Sequence, residues 1–267
     1  MIINYIASSG NNYALTVDRI RTKSANLHAW TFEPEATKLR YGERISDFHK
    51  DAAAYQFKLI ITGGPTQRKA ILDALHDDFE NDVRNLTPGR VTFGDWYCDC
   101  YITASSTAPG SVSHWTENEI TVYVPSGFWI RQESHTFSPQ TPSPTGFLKY
   151  DYDYNYDYTP PALSLATWNA GTKFESKFIM KIYGPCTNPL VTINGHPYLV
   201  RVSVSSGETL VINSANNTVM LGNVNAFDDR DKENSVFAPI PPGALSVEYG
   251  KFSFDLTLLE ERSEPKW

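Results

Sequence analysis

The sequence predicts a mainly β fold, a β-dominated α+β chain in two domains. Strands around a single helix form the first, and an antiparallel sandwich forms the second. Three observations carry this. Aromatic residues fill 13% of the 267 positions, with 15 Tyr, 14 Phe and 6 Trp, and such side chains suit pleated, half-buried surfaces. Period-two alternation recurs along most of the chain. Only one stretch follows a helical period.

The elements follow in order. Tyr13 to Arg21 and Asn26 to Glu33 are apolar and β-branched between polar punctuation, and read as short strands. Tyr55 to Thr62 places Phe57, Leu59 and Ile61 on one face, and Gly63-Gly64-Pro65 ends it. The helix runs from Thr66 to about Asn85. Leu72, Leu75, Phe79 and Val83 make its apolar stripe, and Arg68, Lys69, Asp73, Asp77, Glu80 and Asp82 the opposite face. Pro65 suits its first position and Pro88-Gly89 stops it. Strands resume over Arg90 to Thr103 and Glu119 to Val124.

Ser138 to Gly146 (SPQTPSPTG) has three prolines in nine residues. Proline fixes φ and donates nothing to a ladder, so this is an extended connector. It divides a domain of residues 1–140 from one of residues 147–267. Beyond it, Asn194-Gly195 between two alternating runs is a type I′ hairpin signal. Ser206-Gly207 and Asn216-Asn217 separate further strands, and SVEYGKFSFDLTLLE supplies the last ones. Closely spaced strands with turn residues between them indicate an antiparallel sandwich.

A formal net charge of −7 with no basic cluster opposes nucleic-acid binding, which rests on Lys and Arg neutralising phosphates. It equally opposes an anionic membrane surface. No run approaches eighteen apolar residues, and the amino terminus lacks a secretory pattern, so neither a span nor export is expected. Cys98, Cys100 and Cys186 have no framework spacing, so no disulfide is expected, as suits a reducing cytoplasm.

In YDYDYNYDY (Tyr150 to Tyr158) the five tyrosines share one face of an extended chain. Asp151, Asp153, Asn155 and Asp157 imitate the start of a calcium loop. Tyr156 stands where that loop needs glycine and Ala162 where it needs glutamate, so a packing strand or contact surface is the favoured reading. Cys98 and Cys100 should point the same way as Trp96 and Ile102, as apolar side chains; no second Cys or His pair completes a zinc site. The six histidines (28, 49, 76, 114, 135 and 196) form no metalloprotease pair, and no nucleophile-elbow or phosphate-loop pattern occurs. Asp228 to Glu233 reads as a solvated charged loop. No catalytic, cofactor-binding or metal residues are assigned, and no enzyme is expected.

The carboxyl half carries a resemblance. GPCTNPL (Gly184 to Leu190), GETLVI (Gly207 to Ile212), FAPIPPG (Phe237 to Gly243) and the closing Arg262, Pro265 and Trp267 resemble siphophage and prophage tail proteins of the distal tail family. Upstream, YQFKLIITG, the helix, TPGRVTF and YITASS fit the same order more loosely. The resemblance implies a belt domain that closes into a homo-hexameric ring and a peripheral galectin-like sandwich. It also implies a structural adaptor joining the tail tube to the tip or receptor-binding proteins, in a virion assembled in the bacterial cytoplasm. The family's phrases are turns and strand edges, with no catalytic residue to carry over. The alternative is a carbohydrate-binding module. Trp115, Trp129 or Trp168 would then be its stacking platforms, although a galectin-type pocket cannot be assembled around His196 and Arg201. A cell-wall glycosidase has the least support.

The domain division makes a prediction. A broad-specificity protease should cut first within Ser138 to Gly146, since proline-rich connectors hold few backbone bonds. Two resistant bands of similar size on a denaturing gel are expected. Cleavage mainly inside Val191 to Val204 would refute the boundary.

Overall fold

The computed structural model describes residues 2–108, 114–139 and 163–266. The Tyr150 to Tyr158 run, and the connector from Gln140 onward, lie outside them. The chain forms two compact units, Met1–Arg131 with Glu261–Trp267 and Gln132–Glu260.

The first unit contains β1 (Ile3–Ile6), β2 (Asn12–Ala14), β3 (Ile20–Ala25), β4 (Glu33–Lys38), β5 (Glu43–His49) and β6 (Ala53–Thr62). Then come α1 (Pro65–Arg84), β7 (Gly89–Phe93), β8 (Trp96–Ala108), β9 (Trp115–Val124) and the start of β10 (Trp129–Phe137). All pairing is antiparallel. One sheet runs β2-β1-β7-β8-β10, and another runs β3-β6-β9-β8. The long β8 serves both. Cys100 still pairs with Gly89 of β7, whereas Tyr101 pairs with Tyr123 of β9, and a register shift follows between Ile102 and Ala104. A bulge adds twist and lets a strand turn a corner between sheets. Trp96, Cys98, Cys100 and Ile102 all point into the core, as their spacing required.

Helix α1 begins and ends where Pro65 and Pro88-Gly89 placed it, and packs against β8. Its inward stripe differs from expectation. Leu75, Asp78, Phe79 and Asp82 are buried, while Val83 is 39% exposed. Asp82, read from sequence as solvent-facing, is fully buried. The helix is rolled so that both acids meet the β1–β2 hairpin, whose hydroxyls solvate them. Gly89 makes room for this: a Cβ there would lie 2.5 Å from Asp82 Oδ2 and 2.6 Å from the Tyr5 hydroxyl.

Two expected strands are corrected. Tyr13 to Arg21 breaks at a turn that includes Asp18 (φ +58), and Asn26 to Phe32 is not a strand. The unforeseen β4 and β5 follow instead. Arg90 to Thr103 is a hairpin, β7 and β8, turning at Gly94 (φ +60).

The second unit adds β11 (Ser164–Ala170), β12 (Lys177–Tyr183), β13 (Cys186–Thr187), β14 (Leu190–Ile193), β15 (His196–Leu199) and β16 (Ser203–Val204). It continues with β17 (Thr209–Asn213), β18 (Thr218–Leu221), β19 (Val224–Asn225), β20 (Gly243–Tyr249) and β21 (Phe254–Arg262). One sheet is β11-β20-β14-β15, and the other runs β19-β18-β17-β12-β21 to the end of β10. Between them lies a core that includes Phe178, Met180, Ile182, Val191, Ile212, Val247, Phe254 and Leu256. The fold is mainly β, with an antiparallel sandwich in this unit. Asn194 (φ +47) and Gly195 (φ +84) supply the two positive-φ turn centres that the sequence indicated. The Asp228 to Glu233 run is less solvated than expected. Phe227–Asp229 is a short 3-10 turn, and Asp231 is buried, accepting hydrogen bonds from Arg201 and Asn234.

Helix α1 ends in a Schellman arrangement. Thr87 N–H donates to the Asp82 carbonyl (3.1 Å) and Leu86 N–H to the Val83 carbonyl (3.3 Å). Leu86 occupies the left-handed position at φ +52 and is 80% exposed. Glycine adopts that conformation without the Cβ clash. Leu86→Gly should therefore stabilise the protein by about 1 kcal/mol, read as a higher midpoint in urea with an unchanged slope.

Candidate functional site

Buried acids are the natural place to look for chemistry. Asp82 accepts hydrogen bonds from the Tyr5 hydroxyl and from the backbone N–H and hydroxyl of Ser8. Asp78 accepts from Ser9 (2.8 Å), Asn11 (2.9 Å) and Tyr13. Burial, then the bond to Asp82, pushes the Tyr5 phenol well above its ordinary range, and burial and Asp78 push Tyr13 up to about 12. Burial raises the Asp78 carboxyl, yet the Tyr13, Asn11 and Ser9 donors outweigh it and hold it below 3.8. These donors occupy the carboxylates in fixing the hairpin to the helix, and the arrangement is structural.

The tryptophans resolve similarly. Trp129 is buried and donates to the Tyr55 hydroxyl (3.1 Å). Trp168 is half-buried, with His135 stacked on it at 5.2 Å. Trp115 is 46% exposed. His196 is engaged by the Ser235 carbonyl and Arg201 by Asp231, so neither gathers a sugar pocket. Among the described residues no helix is long and apolar enough to cross a membrane.

Among the described residues, one exposed feature is the β4–β5 ribbon. Its loop Leu39 to Gly42 closes with Leu39 N–H donating to the Gly42 carbonyl at 3.0 Å, and Gly42 sits at φ +79. Every residue of both strands is exposed. The register pairs Pro34 with Phe48 and Ala36 with Ile45, across a bulge after Glu35. Alternation therefore puts these four on one face. Glu33 opposite His49, Glu35 opposite Asp47 and Thr37 opposite Arg44 make the other. Ile45 and Phe48 are 53% and 54% exposed, and Tyr41 at the tip is 82% exposed. Among the described residues nothing covers this apolar face, and exposed apolar patches of this kind are candidates for contact surfaces. Sequence reasoning passed over it because the turn residues Arg40, Tyr41 and Gly42 sit within a charged stretch without clean alternation.

The root of the ribbon borders an open cleft of about 460 Å³ lined by His28, Trp30, Glu33, Lys50, Asp51 and Tyr55, among others. Lys50 Nζ lies 4.6 Å from the Phe128 ring centre and 5.3 Å from that of Phe32. Among the described residues it has no hydrogen-bond acceptor, and burial pushes its amine down to about 8.

No family model and no curated protein matches the sequence. Solved structures do. The Dit protein of phage SPP1, described as a paradigm of the hub of the adsorption apparatus in phages infecting Gram-positive bacteria, superposes with a TM-score of 0.65. At 10% identity that match covers 98% of this chain and 100% of the SPP1 chain. The chain has the fold of this SPP1 hub protein. Chains of the phage P2 baseplate in its activated conformation, with Ca and with Sr, give TM-scores of 0.63 at 14% identity. Both cover 99% of this chain, and 100% and 99% of theirs.

The Lys50 amine generates a pH prediction. Its folded pKa is below the unfolded 10.5, so the unfolded chain binds more protons between about 8 and 10.5, and stability rises with pH in that window. Lys50→Met keeps the stem between the rings and removes the proton. As pH rises from 8 past 10.5, the stability difference between variant and parent should move in the parent's favour. A difference independent of pH contradicts the burial of the amine.

Proposed function

We propose that this chain is a non-enzymatic structural adaptor of a phage tail, carried in the virion and assembled in the bacterial cytoplasm. It closes into a homo-hexameric ring joining the tail tube to the tip or receptor-binding proteins. Residues 1–140 form the belt and residues 147–267 the peripheral galectin-like domain. The observation that carries this reading is full-length likeness: whole chains of an adsorption hub and of a baseplate match 98% and 99% of this one. The ribbon agrees with it, because an apolar face left open in one chain suits a neighbour in a closed ring, where head-to-tail contacts leave no copy uncovered. The −7 charge agrees as well, since a channel that passes DNA should not hold it.

The test is the mass in solution at several concentrations, with negative-stain imaging and with added tail-tube protein. A six-fold ring without retention on DNA at physiological salt is expected. Phe48→Ser and Ile45→Ser should each weaken the contact by about 2 kcal/mol, roughly 30-fold, and leave the melting temperature of the dissociated chain nearly unchanged. A chain that stays monomeric at high concentration and ignores tail-tube protein overturns the reading.

A further inference from the structure

The polar face of the β4–β5 ribbon, opposite the apolar face assigned above to the proposed ring contact, holds an arrangement of its own. Glu35 stands directly opposite Asp47 in the register, and like charges so placed repel. The next pair toward the root is Glu33 and His49. Asp51 joins them: one donor atom each from Glu33, His49 and Asp51 lies within 4.8 Å of the other two. We propose that Glu33, His49 and Asp51 form a site for a divalent transition ion of the zinc class, with water completing the coordination.

The distances suit that ion. Zinc–ligand bonds of about 2.0–2.2 Å in a tetrahedron set donor atoms about 3.3–3.6 Å apart. His49 Nε2 is already 3.4 Å from Glu33 Oε2. The exposed Asp51 carboxylate lies within 4.8 Å of both, a gap that a side-chain rotation would have to close. The donor chemistry selects as well: imidazole with two carboxylates suits zinc, whereas calcium and magnesium take sets of six or more oxygens. Two carboxylates balance the ion's charge, and the neighbouring Glu35 and Asp47 add negative potential. The root is also held in place. The Lys50 amine lies over the Phe32 and Phe128 rings. A Cβ on Gly127 would lie 2.4 Å from the Asp51 carbonyl oxygen, so the absence of a side chain there lets the Asp51 backbone pack close. An ion here ties both ends of the ribbon to Asp51 and stiffens the arm at its root.

The experiment is calorimetric titration of the untagged, EDTA-treated full chain with zinc chloride, and with cobalt chloride for its visible spectrum. One ion per chain is expected, with a cobalt band of low coordination number. His49→Ala should weaken zinc binding at least tenfold, and Glu33→Gln and Asp51→Asn should each weaken it measurably. His114→Ala, an exposed histidine outside the cluster, should leave binding unchanged. All three donors are exposed, and circular dichroism of each variant checks that it is folded. A loss under tenfold in His49→Ala, or displacement of zinc by millimolar calcium, overturns the site, the latter marking the face as a general acidic surface. The readout uses the isolated chain, so it stands or falls apart from the ring.

Discussion

A helix that carries two carboxylates on its inward stripe must find donors for them, and the first unit is arranged around that requirement. An unpaired buried charge costs several kcal/mol. Asp78 and Asp82 avoid that cost because Tyr5, Ser8, Ser9, Asn11 and Tyr13 converge on them from β1, β2 and their connection. Hydrogen bonds to a charged acceptor contribute about 1.5–3 kcal/mol each. The roll of α1 follows from this, since turning Val83 inward would strand both acids. Gly89 follows too, because β7 must pass close beside the Tyr5–Asp82 bond. Removal of the two carboxylates would therefore act on helix, hairpin and β7 together.

With α1 fixed, β8 becomes the strand on which both sheets of the unit hang. Its first half presents Trp96, Cys98 and Cys100 to the core beside β7, and its second half pairs with β9. The two cysteines are fully buried, where they behave as small apolar groups. Asn118 of β9 donates to Ser105 and Thr107 of β8, so the second half carries a polar ladder beyond the bulge.

Much of this was legible because it is written in local periodicity. The limits of α1, the inward run from Trp96 to Ile102, the core-facing Phe57, Leu59 and Ile61, and the Asn194-Gly195 turn each depend on neighbours within a few residues. What was not legible depends on distant partners. Nothing near Asp82 announces that donors some seventy positions earlier will bury it. Asp231 is the same case, with its Arg201 partner thirty residues away. The ribbon was missed for a different reason. Its strands pack on no core, so selection for alternation is weak, and a bulge after Glu35 breaks the pattern that remains. The three proposed ligands could not be collected from spacing alone, because Glu33 meets His49 only through the hairpin register.

The ribbon's composition has an energetic consequence. A two-stranded hairpin without a covering layer is marginally stable in water. Ile45 and Phe48 stabilise little while exposed, and Glu35 facing Asp47 costs something in addition. The ribbon therefore belongs to the low-stability end of the molecule, while the buried β6–β9 pairing belongs to the other. Ordering such a segment draws on the free energy of whatever contact it makes, which weakens that contact relative to its area. Two devices reduce the cost. An apolar face gains most from burial where its neighbour excludes water, and a clamp at the root lowers the entropy left to lose. In the proposed ring contact and the proposed ion site, the two faces of one ribbon thus address the same problem, the first through a partner and the second through an ion.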